Sequence, residues 1–235
     1  GDDDYHEIGV TKRSVSTPAV KVTTMTNANS VNALPDILKL PESLANQVGE
    51  EYTNDAREYV WLQIVRGEDD VKELVEDFIE GYELEPSASA SAIVTEFITH
   101  TMAIRRQQIA ALKDAGFSGK SNLTLAFEKL RQQGVLALED FGCCNNCGHD
   151  EAAGLMNEDS DRWQAYVFFH EQDTERLIET EETCLRFYCN RRHICSDEEW
   201  QKLDRAQKEA LLDKQLQELF VTVFVPTFAE YGMTV

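Results

Sequence analysis

Apolar residues recur at helical spacing over the middle of the chain. They lie three and four residues apart, with acidic residues between them, in the stretches Asn54–Ile64, Val71–Tyr82 and Ile93–Leu112. A further helix follows Ser121, whose hydroxyl can cap it, and ends at Gly134. The first three stretches predict an N-terminal helical layer.

The spacing becomes strand-like after this helix. Val135–Leu138 is a short apolar run, and Trp163–His170 and Thr183–Cys189 are rich in β-branched and aromatic residues, which favour strands. Between the last two, a short helix is predicted with Asp173 as its N-cap. These segments predict a small mixed sheet.

A long amphipathic helix is predicted near the C-terminus. Ser196 and Glu199 have the spacing of a capping box that opens it, and Pro226 is expected to kink or end it. The fold class is therefore predicted as α+β: the helical layer packs on the small mixed sheet, and the long helix covers one face.

Three regions are predicted along the chain. Residues 1–46 lack helical periodicity and predict a flexible or extended leader, although the alternation over Val20–Thr24 would also fit a short edge strand. Residues 47–116 form the helical region and residues 117–235 the α+β domain. The natural chain is expected to continue past Val235, since the chain stops as a strand begins.

The charge balance excludes several classes of partner. The chain has 43 acidic and 22 basic residues, and its net charge of −21 repels nucleic acids and anionic membranes. A basic protein is the partner that fits this charge. No apolar run is long enough to span a bilayer, and the clustered cysteines are typical of a reducing compartment, so we expect a soluble cytoplasmic protein.

The cysteines and histidines indicate a candidate metal or thiol site. Cys144 and Cys147 have the C-x-x-C spacing of half a zinc site, with Gly148 expected to take a positive φ. A structural zinc would complete its ligands from His149 and His170. Other ligands also remain open, namely Cys143, Cys184, Cys189, His193 and Cys195.

Two other interpretations of the cysteines stand beside zinc. The thiols can be ordinary reduced side chains, or Cys144 and Cys147 can form a redox dithiol. A redox dithiol is disfavoured because the residues after the motif predict only a short, interrupted turn instead of the long helix typical of thioredoxin-like proteins.

A polar motif, HEQDTE, follows the second predicted strand. It places His170, Gln172 and Asp173 at the end of a strand, where side chains can line a cleft, so these are the candidate binding residues. Asp173 is equally explained as a helix cap.

Three blocks of the sequence carry a family resemblance. LTLAFEKLRQQGVLALEDFGCCNNCG begins at Leu123, YVFFHEQDTERLIE begins at Tyr166, and AEYGMTV lies near the end. With its CCxxCG loop and HxQDTE motif, the chain resembles a bacterial family of uncharacterised proteins classed as a domain of unknown function. The resemblance implies a fold and a soluble bacterial protein, and no reaction.

Two classes of function remain. We favour a non-enzymatic binding or interaction module with an acidic surface, of the kind found in immunity or inhibitor proteins, because each polar residue singled out has an adequate structural role. The alternative is an enzyme of unrecognised class that uses the region around Cys144 and His170.

Overall fold

A computed structural model of the chain describes residues 19–24, 32–117 and 119–235. It confirms the α+β class, with a helical layer and a mixed sheet. The strands are β1 Ala19–Thr24, β2 Val135–Leu138, β3 Ala165–Phe168, β4 Glu182–Cys189 and β5 Met233–Thr234. The α-helices are α1 Glu42–Val48, α2 Thr53–Arg66, α3 Val71–Gly81, α4 Ala88–Asp114, α5 Asn122–Gln132, α6 Asn145–Glu158, α7 Glu171–Thr180, α8 Asp197–Lys202, α9 Arg205–Leu219 and α10 Val225–Glu230. Short 3₁₀ helices cover Glu50–Tyr52 and Arg191–His193.

The helical layer, α1 to α4, has its own hydrophobic core. Asp70 caps the start of α3: its carboxylate accepts the backbone N–H groups of Lys72 and Glu73. The apolar stripe of α3 is buried. The buried side chains of this core run from Leu38 to Met102. α2 also packs against α7, and α7 packs on β4, so the layer is joined to the sheet through α7.

Part of the stretch predicted as a leader belongs to the fold. β1 lies inside the sheet with a hydrogen-bonded neighbour on each side, whereas the strand considered from the sequence was an edge strand. Leu38 and Leu40 are buried in the core of the helical layer. Residues 1–18 and 25–31 lie outside the described residues, and the three-region division stays a prediction.

The sheet combines parallel and antiparallel pairs. The strand order is β2-β3-β4-β1-β5; β2 and β3 run parallel, and the other neighbours are antiparallel. Because α6 connects β2 to β3, these three elements form a βαβ unit. The carboxyl ends of β2 and β3 therefore meet at one edge of the sheet.

The two faces of the sheet bury different side chains, as the period of two along a strand requires. One face packs against α5, α9 and α10, and the other packs against α6. On β2 and β3 the first face carries Val135, Ala137, Ala165 and Val167, and the second carries Leu136, Tyr166 and Phe168.

The long C-terminal helix is confirmed, but it begins later than predicted. Ser196 and Glu199 do form the predicted capping box, yet it opens only the six-residue α8. Leu203 is extended, and Asp204 forms a second capping box with Gln207 that starts α9. A second N-cap three residues before a glutamine is thus the signal that divides the predicted helix.

Of the two outcomes predicted for Pro226, a kink or an end, the end of the helix is not found. A π-helical turn at Phe220–Phe224 precedes Pro226, and α10 continues through the proline to Glu230. A proline lacks an N–H and crowds the preceding turn of a regular α-helix, so the wider turn accommodates it.

Candidate functional site

The two motifs of the sequence lie side by side at one edge of the sheet. The cysteine loop follows β2 and the HEQDTE motif follows β3. The N–H of Phe141 donates to the carbonyl of Phe169 at 2.9 Å, and the N–H of Glu171 donates to the carbonyl of Gly142 at 3.3 Å. Two backbone hydrogen bonds thus join the loops, at the edge where open α/β sheets commonly bind ligands.

The cysteine motif opens a regular helix. Cys144 is the extended N-cap of the 14-residue α6, and Gly148, Ala152 and Met156 form its buried face. The prediction of a short, interrupted turn was therefore wrong. The helix escaped notice because its buried face is made of small residues and one methionine, which give a weak apolar pattern.

Two glycines hold the cysteine loop against the sheet. Gly148 is helical and lacks the predicted positive φ; that conformation is taken by Gly142, at φ 77°. A Cβ on Gly142 would lie 2.9 Å from the Cα of Gly148, and a Cβ on Gly148 would lie 2.3 Å from Cε2 of Phe168. Both positions therefore lack room for a side chain.

Three sulfur atoms converge in this loop. Those of Cys143, Cys144 and Cys147 all lie within 4.8 Å of one another, and this group could hold a metal ion. Cys143 is exposed, and the other two are partly exposed. Of the residues predicted as ligands, the structure thus joins Cys144 and Cys147 with Cys143, which the sequence left as one of several alternatives.

Cys144 and Cys147 differ in acidity. The backbone N–H of Cys147, followed by the Cys147 thiol, lowers the pKa of Cys144 below its ordinary value. That N–H belongs to the first turn of α6, whose N–H groups have no partner within the helix and favour a thiolate. The thiols of Cys143 and Cys144 raise the pKa of Cys147 to about 12. Cys144 is therefore the first of the pair to ionise.

His149 turns away from the cysteines toward the sheet. Its Nδ1 lies 2.8 Å from the hydroxyl of Tyr166, and its ring meets Phe168 edge-on, 5.0 Å between centroids. Burial, followed by the charge of Arg186, lowers the pKa of His149, so the ring is neutral at pH 7. Its buried Nε2 has no hydrogen-bond partner among the described residues.

His170 and Asp173 form a buried polar pair. They are only 5% and 6% exposed. His170, not Asp173 as predicted, is the N-cap of α7: its Nδ1 accepts the N–H of Asp173 at 3.4 Å, and the Asp173 carboxylate accepts the N–H of His170 at 3.2 Å. Arg186 on β4 pairs with the same carboxylate. Burial lowers the pKa of His170.

The three candidate binding residues therefore have different surroundings. His170 and Asp173 are engaged in the start of α7, while Gln172 is exposed. A groove of about 610 Å³ lies elsewhere, between α2, α7 and residues 32–34. Its lining includes none of the three, so their role in binding stays a prediction.

The other predicted ligands lie outside the cysteine group of the described residues. Cys189 is buried, its sulfur lies 3.8 Å from the carbonyl of Leu212, and burial raises its pKa to about 12. His193 reaches the carbonyl of Ser160 at 2.9 Å. Cys184 and Cys195 are partly exposed.

Arg66 at the end of α2 is a site residue that sequence reasoning missed. Its side chain is only 15% exposed and lies 3.3 Å from Asp140, 3.8 Å from Glu171 and 4.0 Å from Glu175. Asp140 also accepts the hydroxyl of Thr174 at 2.7 Å. Because 74 residues separate Arg66 from Asp140, no local pattern could reveal this pair.

The fold and the site together define an α+β protein with a three-cysteine centre at the first strand-to-helix junction of a βαβ unit. Residues 49–218, more than half of the chain, match the family described as "Domain of unknown function (DUF6891)". The chain belongs to this family, which confirms the resemblance to a family of uncharacterised proteins. Comparison with curated proteins and with solved structures finds no match.

No helix in the described part of the chain is both long enough and apolar enough to cross a bilayer. The cytoplasmic location stays a prediction.

Proposed function

We propose that this protein binds one zinc ion through Cys143, Cys144 and Cys147. The observation that supports the proposal is the convergence of three sulfur atoms within 4.8 Å. Zinc–sulfur bonds of about 2.3 Å in a tetrahedral site place the sulfur atoms roughly 3.8 Å apart. Small rotations of the side chains therefore suffice to close the site. Thiolates select zinc and other soft cations over magnesium and calcium.

In the proposed centre the fourth position is open to solvent. His149 already contacts Tyr166, and Nδ1 of His170 already accepts the N–H of Asp173. Because Cys143 is exposed, water or a ligand from solution can reach the ion. A zinc site with three protein ligands binds water or a substrate group, whereas a purely structural site has four. We therefore assign the centre a binding role beyond stabilising the fold.

The test is the zinc content and zinc affinity of the reduced protein. Protein purified without added metal is analysed for zinc, and then titrated against a chromophoric chelator. We expect about one zinc per chain, with Cys144→Ser and Cys147→Ser each losing it and Cys143→Ser binding more weakly. Cys195→Ser, which removes a partly exposed cysteine outside the centre, is the matched control and should bind as wild type.

Circular dichroism of each variant separates lost binding from lost folding. A folded wild-type protein that takes up no zinc would refute the proposal. So would a Cys147→Ser variant that binds zinc as tightly as wild type.

A second function, the binding of a basic protein segment, is favoured by the groove between α2 and α7. Four carboxylates lie in its lining, beside the apolar and aromatic side chains of Leu34, Tyr59, Trp61 and Ile178; they are Asp55, Glu58, Glu175 and Glu179. Lysine or arginine side chains complement these carboxylates, and the net charge of −21 attracts a basic partner at long range.

Calorimetry with a synthetic peptide of alternating lysine and leucine tests this second function. The double variant Glu58→Gln with Glu179→Gln should weaken binding severalfold more than Glu198→Gln with Glu218→Gln. The control pair changes the net charge equally but lies on exposed positions outside the groove lining. Equal weakening by the two pairs would show that the peptide responds only to overall charge.

The enzymatic alternative stays a prediction. It needs His170 to act on a reacting group beside Cys144, and His170 is buried with its Nδ1 engaged in the capping box. The geometry therefore supports binding better than catalysis by this pair.

A further inference from the structure

The three sulfur atoms of the cysteine centre are also close enough for disulfide chemistry, and backbone geometry decides which two can pair. The Cα atoms of neighbouring residues lie about 3.8 Å apart, and disulfides ordinarily span about 4.4–6.8 Å between Cα atoms. A bond between Cys143 and Cys144 would therefore need a distorted backbone. Cys147 is left as the partner of one of them.

Helix geometry selects Cys144 as that partner. Cys144 is the N-cap of α6 and Cys147 is the third residue of the helix. At this separation helical Cα atoms lie about 5 Å apart, which is close to the preferred span of a disulfide. Cys143 lies before the extended N-cap, where Cys144 has φ −157° and ψ 173°, so helical spacing does not fix its Cα relative to that of Cys147.

We propose that Cys144 and Cys147 form a reversible disulfide by exchange with a small-molecule or protein disulfide. The Cys144 thiolate attacks one sulfur of R–S–S–R and releases the first R–S⁻. Cys147 then gives up its proton, attacks the sulfur of Cys144 and releases the second R–S⁻. Two thiols of the chain are oxidised, one external disulfide is reduced to two R–SH, and the two protons pass from the cysteines to the released thiolates.

The surroundings of the pair suit this exchange. Both cysteines are partly exposed, so an external disulfide can reach them. The loop is fixed by the contact between Gly142 and Gly148 and by the packing of Gly148 on Phe168, which keeps the sulfur atoms together in the reduced state. Cys143 stays a thiol throughout. This activity goes beyond zinc binding and requires no metal.

The experiment uses the full-length protein after treatment with a chelator. Samples are equilibrated in buffers of reduced and oxidised glutathione, free thiols are trapped with an alkylating agent, and the disulfide is located by peptide mass spectrometry. We expect two of the six thiols to disappear in one step, with the bond between Cys144 and Cys147. Cys144→Ser and Cys147→Ser should abolish the step, whereas Cys143→Ser and the control Cys195→Ser should retain it.

Three results would overturn the inference: six thiols at every glutathione ratio, a bond that maps to Cys143, or loss of the step in Cys143→Ser. Zinc uptake is measured separately on the reduced protein, so failure of either proposal can be told from failure of the other. Zinc uptake without a disulfide would refute this inference alone. A disulfide without zinc uptake would support it and refute only the zinc proposal.

Discussion

Replacing Gly148 by alanine is the most direct test of how the cysteine helix is seated. The added Cβ would lie 2.3 Å from Cε2 and 2.8 Å from Cζ of Phe168. Phe168 is fully buried on β3 and contacts Phe141 and His149, so its ring has little freedom to move. Either α6 must shift from the sheet or the ring must leave its position, and both disturb the cysteine centre.

The size of the effect follows from two opposing contributions. Forcing an extra methyl group into a packed core costs about 1–3 kcal/mol, and a contact this short belongs at the upper end. Alanine in a helix regains about 1 kcal/mol over glycine. We therefore expect a net loss of about 2 kcal/mol, or about 4–8 °C in Tm for a chain of this size.

Gly154 in the same helix provides the matched control. A Cβ there would meet nothing within 4 Å, and the position is exposed. Only the helix propensity then changes, so Gly154→Ala should raise the stability by about 0.5–1 kcal/mol. Both substitutions replace glycine by alanine, but they are expected to change the stability of the protein in opposite directions.

Thermal and urea unfolding, followed by circular dichroism, measure both variants. The Phe168→Leu background then isolates the clash: without the ring edge, Gly148→Ala should cost less than it does in the wild type. If Gly148→Ala is as stable as Gly154→Ala, the close packing of α6 on Phe168 is wrong. Gly148 would then not be the residue that fixes the cysteine loop against the sheet.

Two further predictions concern buried polar groups. Arg186→Met removes the cation beside the buried Asp173 carboxylate and should lower the free energy of unfolding in urea by about 3 kcal/mol. The control Arg191→Met breaks a pair with the exposed Asp197 and should lower it little. Equal losses of stability in the two variants would contradict the burial of the Asp173 pair. Burial lowers the pKa of His149 in the folded chain below its ordinary value of 6.5. Near pH 6.5 the unfolded chain therefore binds a proton at this residue more readily than the folded chain does. Stability should therefore fall as the pH drops below about 6.5, and less steeply in His149→Gln; an unchanged pH dependence in that variant would show that His149 is not responsible.

The fold was predictable where the apolar spacing was unambiguous. Val135–Leu138 was placed correctly because an apolar run after a helix-ending glycine leaves few alternatives, and the stripe of α3 matched its burial. α6 was missed because Gly148, Ala152 and Met156 make a face too small to stand out, although it packs tightly on the sheet. That miss also led to the wrong argument against a dithiol, since a 14-residue helix does follow the cysteines.

The cysteine site was half predictable for a related reason. Spacing along the chain identified Cys144 and Cys147, but the choice of a third ligand depends on where the helix begins. Once α6 starts at Asn145, His149 lies two residues after Cys147, or about 200° around the helix axis. It therefore points to the opposite side, toward Tyr166. Cys143 precedes the helix and remains free to join the group.

The Arg66 network links the cysteine centre to the groove. Asp140, which Arg66 contacts through both carboxylate oxygens, lies two residues before Gly142, while Glu175, at 4.0 Å, lines the groove. Exposed ion pairs contribute little to the stability of the fold. Arg66 is largely buried, and a buried charge without a partner is costly, so its guanidinium must stay paired with these carboxylates. A basic partner that draws Glu175 away would leave Arg66 to Asp140 and Glu171, at the base of the two loops. If that loss of Glu175 changes the conformation of the cysteine loop, linkage requires the loop to alter the affinity of the groove by the same factor.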